Sequence, residues 1–191
     1  SVRSLVRTGN LFGLQYIYGT LTNSDGADPL DYSAVMENPA EFYMTATDAA
    51  TGRAAYFSKY DIIRDDYRTV MATCALPGFC RPVKVGEHFY YDGGVADSIP
   101  LHHAIEQGCT KMVVILSNPR DFVKKPEAHR PLYKHMLHKY PKTIQSIDNR
   151  HINYQASIDL ACRIEKEGYV FIFAPSRHMP LSTFSKDAAL E

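Results

Sequence analysis

Strand-like and helix-like segments alternate along this 191-residue sequence, and the alternation predicts an α/β fold. An aromatic-rich strand at 88–91 is followed by helical spacing at 101–107 and then by a continuous apolar run at 112–116. The same order returns near the end, where a helix at 154–168 precedes an apolar strand at 169–174. A continuous apolar run is typical of a strand buried on both faces, so we expect 112–116 to be an interior strand.

The remaining elements are predicted from short periodic segments separated by Gly, Pro, Asn and Asp. Asp31 or Ser33 caps a short helix, and Asp48 forms a turn between two strands. Pro77 ends a helix that continues through Ala75. In order, these elements are a helix and loop at 1–21, a loop at 22–31, a helix at 33–38, strands at 41–47 and 54–58, a segment at 82–85 that leads back to the aromatic-rich strand, and a terminal helix or frayed end at 182–191.

Asp92 stands where the aromatic-rich strand ends, and two interpretations of Asp92-Gly93-Gly94 remain open. Asp-Gly supplies the positive φ angles of a two-residue hairpin turn. A hairpin predicts alternation after the turn, whereas residues 95–100 do not alternate and favour a loop that leads into a helix, with Ser98 near its N-cap. In the second interpretation the turn displays a carboxylate at the end of a sheet strand, where open α/β sheets gather their sites.

Composition and charge restrict the function classes. Lys and Arg together number 21, and so do Asp and Glu together, so the formal net charge is zero. This balance gives no electrostatic reason to expect nucleic acid as a partner. No stretch approaches the roughly 20 apolar residues of a transmembrane helix. The cysteines show neither C-x-x-C nor metal-ligand spacing, so we expect a cytoplasmic, reducing compartment, with no metal and no cofactor. These cysteines are Cys74, Cys80, Cys109 and Cys162.

Residues 124–151 are strongly basic, and two interpretations of this segment also remain open. The charges form either a solvated helical face or a basic surface that contacts anionic lipid head groups, where each cation adds about 1 kcal/mol. Under the second interpretation the protein lies peripherally on a membrane. His135 and His138 share a helical face without a nearby carboxylate or thiolate, so we expect no metal there. The cations are Lys124, Lys125, Arg130, Lys134, Lys139, Lys142 and Arg150, and the acidic residues are Glu127 and Asp148.

Three blocks between residues 40 and 120 resemble those of the patatin-like phospholipases. Asp-Gly-Gly at 92–94, followed by Pro100, resembles the second catalytic block of that family. The segment 72–79 resembles the short helix and Pro-Gly loop that precede this block, and 45–53 resembles the strand and turn before them. The three blocks also stand in the order that the family has.

The resemblance implies a three-layer α/β fold, in which helices flank a central, mostly parallel sheet. It further implies hydrolysis of a lipid or another acyl ester by a Ser–Asp dyad, with Asp92 as the general base. Gly93 and Gly94 would then let the backbone turn tightly beside the substrate. A free Asp has a pKa of about 3.9, so this base must be partly desolvated and within hydrogen-bond reach of the serine.

The nucleophile that the resemblance implies is missing from this sequence. A Gly-x-Ser-x-Gly elbow does not occur, and Ser24 and Ser98 lack the flanking glycines. We therefore expect residues 1–191 to be the C-terminal part of one patatin-like α/β domain, truncated at its N-terminal side and inactive alone. An exposed sheet would lead such a chain to self-associate. The alternative is a non-enzymatic lipid-surface or regulatory module, in which Asp-Gly-Gly only makes a turn.

Overall fold

A computed structural model describes residues 12–177, and these fall into two compact units. The first unit contains residues 12–100 and 125–154. The second contains residues 101–124 and 155–177. The predicted terminal element at 182–191 and the first part of the predicted helix at 1–21 lie outside the described residues.

The first unit is built on a four-stranded antiparallel sheet. Its strands are β1 (Tyr43–Asp48), β2 (Ala54–Ser58), β3 (Val83–Val85) and β4 (His88–Asp92). Their order across the sheet is β2–β1–β4–β3. Where β1 pairs with β4, Ala46 lies opposite Asp92 and Thr47 lies opposite Tyr91. The register therefore brings the middle of β1 beside the end of β4.

The expectation of a mostly parallel central sheet is not confirmed for the described residues, and neither is a three-layer arrangement. Every strand pair of the four-stranded sheet is antiparallel. The reason lies in the connections: residues 49–53 join β1 to β2, and residues 86–87 join β3 to β4. Such turns are too short for the crossover that a parallel pair requires. The mixture of helices and strands does confirm the broader α/β class.

Most of the helices are short. They are α1 (Leu14–Tyr16, continued by a π-helical turn at Ile17–Leu21), α2 (Tyr32–Glu37), α3 (Arg68–Ala72), α4 (Leu101–Glu106), α5 (Arg130–Met136) and α6 (Pro141–Lys166). The Ala34 N–H donates to Asp31 Oδ1 at 2.9 Å, so Asp31, rather than Ser33, is the cap of α2. Helix α6 begins earlier than predicted because Pro141 suits a first helical turn and the helix contains no Gly and no further Pro. Between residues 12 and 177, no helix combines the length and apolarity needed to cross a membrane.

A buried apolar cluster joins α6 to the end of β4. It contains Tyr91 and Val95 from the β4 end, together with Leu137, Ile144 and Ile147. Hydroxyl groups of α6 also hold the turn between β1 and β2, because Thr143 Oγ1 donates to the Ala49 carbonyl at 2.8 Å and Ser146 Oγ donates to the Gly52 carbonyl at 2.6 Å. The first turns of α6 are thus fixed against the sheet beside Asp92.

The second unit contains a parallel strand pair, β5 (Met112–Ile115) and β6 (Val170–Phe173). Val113 lies beside Phe171 and Ile115 beside Phe173, and these four side chains are 60–76% exposed. The alternate side chains of both strands are largely buried. The expectation that 112–116 is buried on both faces is therefore wrong for the described residues, because the described part of this unit covers one face of the pair.

Candidate functional site

Asp92 is the last residue of β4, and the chain continues from it into a 3-10 turn at Gly93–Val95. The backbone of Asp92 is fixed on both sides. Its N–H donates to the Ala75 carbonyl at 2.9 Å, and its carbonyl accepts a hydrogen bond from Thr47 Oγ1 at 2.8 Å. The predicted strand end is thus confirmed, and a 3-10 turn takes the place of the alternative two-residue hairpin.

The carboxylate of Asp92 is half-buried and accepts a hydrogen bond from the Gly94 N–H, with 2.8 Å between Oδ1 and N. Burial raises the pKa of Asp92 above its ordinary value, although the Gly94 N–H and the positive charge of Arg150 act in the opposite direction. A carboxylate with a raised pKa is a stronger base than that of a free Asp. This environment therefore suits Asp92 to accept a proton.

Neither Gly93 nor Gly94 has a positive φ angle. Gly93 is required by a close contact with β1, and Gly94 lies in a tight position beside two charged side chains. A Cβ placed on Gly93 would lie 2.1 Å from the carbonyl oxygen of Thr45, a separation that no side chain tolerates. A Cβ placed on Gly94 would lie 3.0 Å from Asp92 Oδ1 and 3.3 Å from Arg150 Nη2. The glycines leave room for β1 on one side and for two charged groups on the other.

Thr47 belongs to this site, although the sequence did not single it out. Its side chain is fully buried, and its Oγ1 donates to the Asp92 carbonyl while accepting from the Ala96 N–H at 3.2 Å. One hydroxyl group therefore connects the two ends of the turn. The sequence carries no signal for this role beyond a polar residue in a predicted strand, since the pairing of β1 with β4 is a tertiary feature.

Arg150 also belongs to this site, whereas the sequence placed it only among the cations of the basic segment. Its Nε donates to the Gly94 carbonyl at 2.6 Å, and its Nη1 pairs with Glu127 Oε1 at 2.9 Å. Arg130 is paired in the same way with Asp148, at 2.6 Å. Both acidic side chains of the segment are thus engaged by arginines. The exposed lysines of the segment are Lys125, Lys134, Lys139 and Lys142.

The two serines considered as nucleophiles use their hydroxyl groups elsewhere. Ser98 Oγ donates to the Gly94 carbonyl at 2.7 Å, and Ser24 Oγ donates to Asp65 Oδ2 at 2.6 Å. In each case the hydroxyl proton is directed to a group other than the Asp92 carboxylate. Ser98 acts instead as a second donor to the carbonyl that Arg150 also binds.

Asp48 provides a contrast to Asp92. Its Oδ1 accepts hydrogen bonds from the Thr51 N–H at 2.7 Å and from Thr51 Oγ1 at 2.9 Å, and its Oδ2 lies 3.1 Å from His88 Nδ1. Burial acts to raise the pKa of Asp48, but the hydrogen bonds from Thr51 and His88 outweigh it and lower this pKa. A stabilised carboxylate of this kind is a poor base, which agrees with the predicted role of Asp48 as a turn former.

Residues of metal-binding types are dispersed in the part of the chain that the structure describes. Residues 12–177 contain no group of three or more His, Cys, Asp or Glu side chains that is arranged to hold a metal ion. His138 Nδ1 lies 2.9 Å from the carbonyl oxygen of His135. The four cysteines are free thiols.

Family models match two segments of the chain. Residues 39–105 match the family described as Patatin-like phospholipase, which confirms the resemblance seen in the sequence blocks and indicates a lipid-hydrolase family. This segment contains Asp92, Gly93 and Gly94. Residues 140–189 match a family described as a domain of unknown function, DUF6363, and this second segment contains Arg150.

A curated relative provides a further comparison. The chain is 32% identical over 129 residues to a protein of Escherichia coli strain K12 described as Uncharacterized protein YjjU. The matched region covers 64% of this chain and 34% of that protein. The chain thus spans about a third of the length of the curated relative that it matches.

Proposed function

We propose that this chain supplies the general base, Asp92, of a lipid acyl hydrolase that works through a Ser–Asp dyad. One observation carries the proposal: Asp92, at the end of β4, has a half-buried carboxylate with a raised pKa. Thr47 Oγ1 donates to its backbone carbonyl and the Gly94 N–H donates to its carboxylate, so the residue is held in place. The match of residues 39–105 to the patatin-like phospholipases supports it. Gly93 and Gly94 support the turn that presents the carboxylate.

The proposed chemistry uses Asp92 twice. As the serine oxygen bonds to the ester carbonyl carbon, the hydroxyl proton passes to the Asp92 carboxylate. The protonated Asp92 then gives this proton to the departing alcohol as the ester C–O bond breaks. Water releases the acyl group from the serine by the same path, so the carboxylate ends the cycle ionised.

The proposal assigns the serine nucleophile to a part of a longer protein outside this sequence. The sequence itself has no Gly-x-Ser-x-Gly elbow, and the matched relative is about three times as long as the region it shares with this chain. In the complete protein we propose the three-layer fold of the family. Intact mass and N-terminal sequencing of the protein from its source would show whether an elbow precedes Ser1.

The test compares Asp92→Asn with Asp48→Asn in the native protein, with any residues that precede Ser1 included. Turnover of p-nitrophenyl acyl esters, phospholipids, lysophospholipids and neutral lipids is measured for each. Loss of the base should lower kcat by about 100-fold or more. Asp48→Asn removes a comparable carboxylate from the adjacent strand and should retain activity. Unchanged turnover by Asp92→Asn would overturn the proposal.

A second candidate is a non-enzymatic module that binds lipid surfaces, and the exposed lysines of 124–151 favour it. Because Arg130 and Arg150 are paired with carboxylates, contact with anionic head groups would depend on these lysines. We propose peripheral membrane contact through them, on a cytoplasmic protein with free thiols. Co-sedimentation with phosphatidylserine vesicles should fall when Lys134 and Lys139 are both changed to Gln. Binding without any esterase activity in the complete protein would favour the module.

A further inference from the structure

The guanidinium of Arg150 and the carboxylate of Asp92 lie on the same side of the Gly94 backbone. The position that a Cβ of Gly94 would take is 3.3 Å from Arg150 Nη2 and 3.0 Å from Asp92 Oδ1. A positive and a negative group therefore both border the space that a side chain of residue 94 would occupy. A Cβ at this position would be in tight contact with both groups, and each would have to shift by a few tenths of an ångström to accommodate it.

Arg150 is held in this position from two directions. Its Nε donates to the Gly94 carbonyl at 2.6 Å, and its Nη1 pairs with Glu127 at 2.9 Å. A planar guanidinium with two different nitrogens engaged has little freedom to rotate. The Gly94 carbonyl receives a second hydrogen bond from Ser98 Oγ at 2.7 Å, so the peptide that follows the Asp92 turn is also held.

The charge of Arg150 bears directly on the ionisation of Asp92. Burial raises the pKa of this carboxyl group, and the nearby positive charge opposes that effect. Other titratable groups near the site are the Cys80 thiol, which interacts electrostatically with Asp92, the phenol of the adjacent Tyr91, and Glu127 behind the guanidinium. Arg150 is thus the cation that favours the ionised form.

We infer that Arg150 is a positioning residue for the Asp92 base: it fixes the Gly94 peptide and keeps the half-buried carboxylate ionised. The inference rests on the proposed function for its catalytic consequence. It also assigns a role to part of the segment that matches the domain of unknown function. Arg150, on helix α6 of that segment, donates a hydrogen bond to Gly94, which lies within the patatin-like match. Residues from both matched segments therefore contribute to one site.

The experiment uses Arg150→Gln and Arg150→Lys in the native protein, with Arg130→Gln as the matched control. Arg130 is likewise an arginine of the basic segment paired with a carboxylate, and its removal leaves Arg150 in place. The first readout is the ionisation of Asp92 itself, followed by ¹³C NMR of its carboxyl carbon, with Asp92→Asn for assignment. Arg150→Gln should move this titration to higher pH, whereas Arg130→Gln should not.

The second readout is the pH profile of kcat/KM. A base with a higher pKa loses its ionised form earlier as the pH falls, so Arg150→Gln should lower kcat/KM about tenfold at the acid end and much less at the alkaline end. Arg150→Lys keeps the charge and should retain the profile, with a lower kcat because the two-point contact is lost. A purely structural role would lower activity equally at every pH.

The outcomes separate this inference from the proposed function. Unchanged titration of Asp92 in Arg150→Gln would overturn the inference, whatever the activity shows. A shifted titration together with full activity in Asp92→Asn would support the effect of Arg150 on Asp92 and would overturn the proposed role of Asp92 as the general base. Should Arg150→Gln fail to fold, Arg150→Lys decides: wild-type values of both kcat and the pH profile would overturn the positioning role.

Discussion

Thr47 Oγ1 donates a hydrogen bond of 2.8 Å to the carbonyl oxygen of Asp92 across the β1–β4 pair. The same oxygen accepts from the Ala96 N–H at 3.2 Å, beyond the 3-10 turn. The position of the Asp92 carboxylate therefore depends on a residue 45 positions earlier in the chain. The Ala96 N–H also donates to the Gly93 carbonyl at 3.2 Å. Replacing this hydroxyl by an apolar group would therefore remove the Thr47 donor to the Asp92 carbonyl and one of the two acceptors of the Ala96 N–H.

Thr47→Val should destabilise the protein by about 1–3 kcal/mol, because it removes the hydrogen bond from Thr47 Oγ1 to the half-buried Asp92 carbonyl and weakens the bonding of the Ala96 N–H. Thr143→Val is the matched control: Thr143 is also fully buried and donates to a carbonyl, that of Ala49. Urea unfolding should show a loss of stability for both variants. Esterase activity of the complete protein should fall only for Thr47→Val, and equal activity losses would contradict a specific role at the Asp92 turn.

Gly93→Ala should also destabilise the turn, because the added Cβ would meet the Thr45 carbonyl oxygen at 2.1 Å. The backbone of β1 or β4 must move to relieve this contact, at a cost of about 1–3 kcal/mol. Gly13→Ala serves as the control, since the nearest atom to its Cβ would be 3.9 Å away. Thermal unfolding should separate the two variants clearly, and a Gly93→Ala protein as stable as the wild type would show that the contact is absent in solution.

In the second unit, Glu165 should make stability depend on pH in the acid range. Hydrogen bonds from Arg120, at 2.6 and 2.7 Å, and from the Ile172 N–H, at 3.0 Å, lower the pKa of Glu165 to about 2 from an ordinary value of 4.5. A lowered pKa means that the stabilisation is complete above pH 4.5 and is lost as the pH falls towards 2.

Glu165→Gln should therefore remove part of the loss of stability between pH 4.5 and pH 2, and it should lower stability at neutral pH. The urea midpoint measured across this range reports both effects. Glu167 lies two residues away and is exposed, so Glu167→Gln is the control and should leave the pH dependence of the urea midpoint unchanged. The prediction fails if the two variants follow the same curve.

The exposed face of the β5–β6 pair should cause the 191-residue chain to self-associate. Val113, Ile115, Phe171 and Phe173 form a contiguous apolar surface, and surfaces of this kind are typical of protein contacts. Sedimentation velocity should show dimers or larger species, and Ile115→Thr combined with Phe173→Thr should shift the chain towards monomer. Val123→Thr changes an exposed apolar residue elsewhere in the unit and is the control. A monomeric wild-type chain at every concentration would contradict the prediction.

The local features of this protein, such as strand ends, turns and helix caps, could be predicted from its sequence. The end of β4 at Asp92, a turn after it, and a cap of α2 at Asp31 or Ser33 were predictable because turns and caps depend on a few consecutive residues. The structure decided that the turn is a 3-10 turn and that Asp31 is the cap. The family resemblance could also be recognised from the sequence, because it consists of short blocks of consecutive residues that follow one another in the family's order. The start of α6 was less predictable: the sequence indicated a helix from residue 154 and, for 124–151, a solvated helical face without defined ends, whereas the helix begins at Pro141.

Tertiary structure alone decided which distant residues meet at Asp92. The register of the β1–β4 pair places Thr47 beside the Asp92 carbonyl. The packing of α6 places Arg150 beside the carbonyl of Gly94, 56 positions earlier in the chain. The antiparallel order of the sheet and the exposure of one face of the β5–β6 pair, among the residues that the structure describes, were decided at the same level. Pairing and packing depend on contacts between residues far apart in the chain, whereas the patterns read from a sequence describe only each segment's own preference.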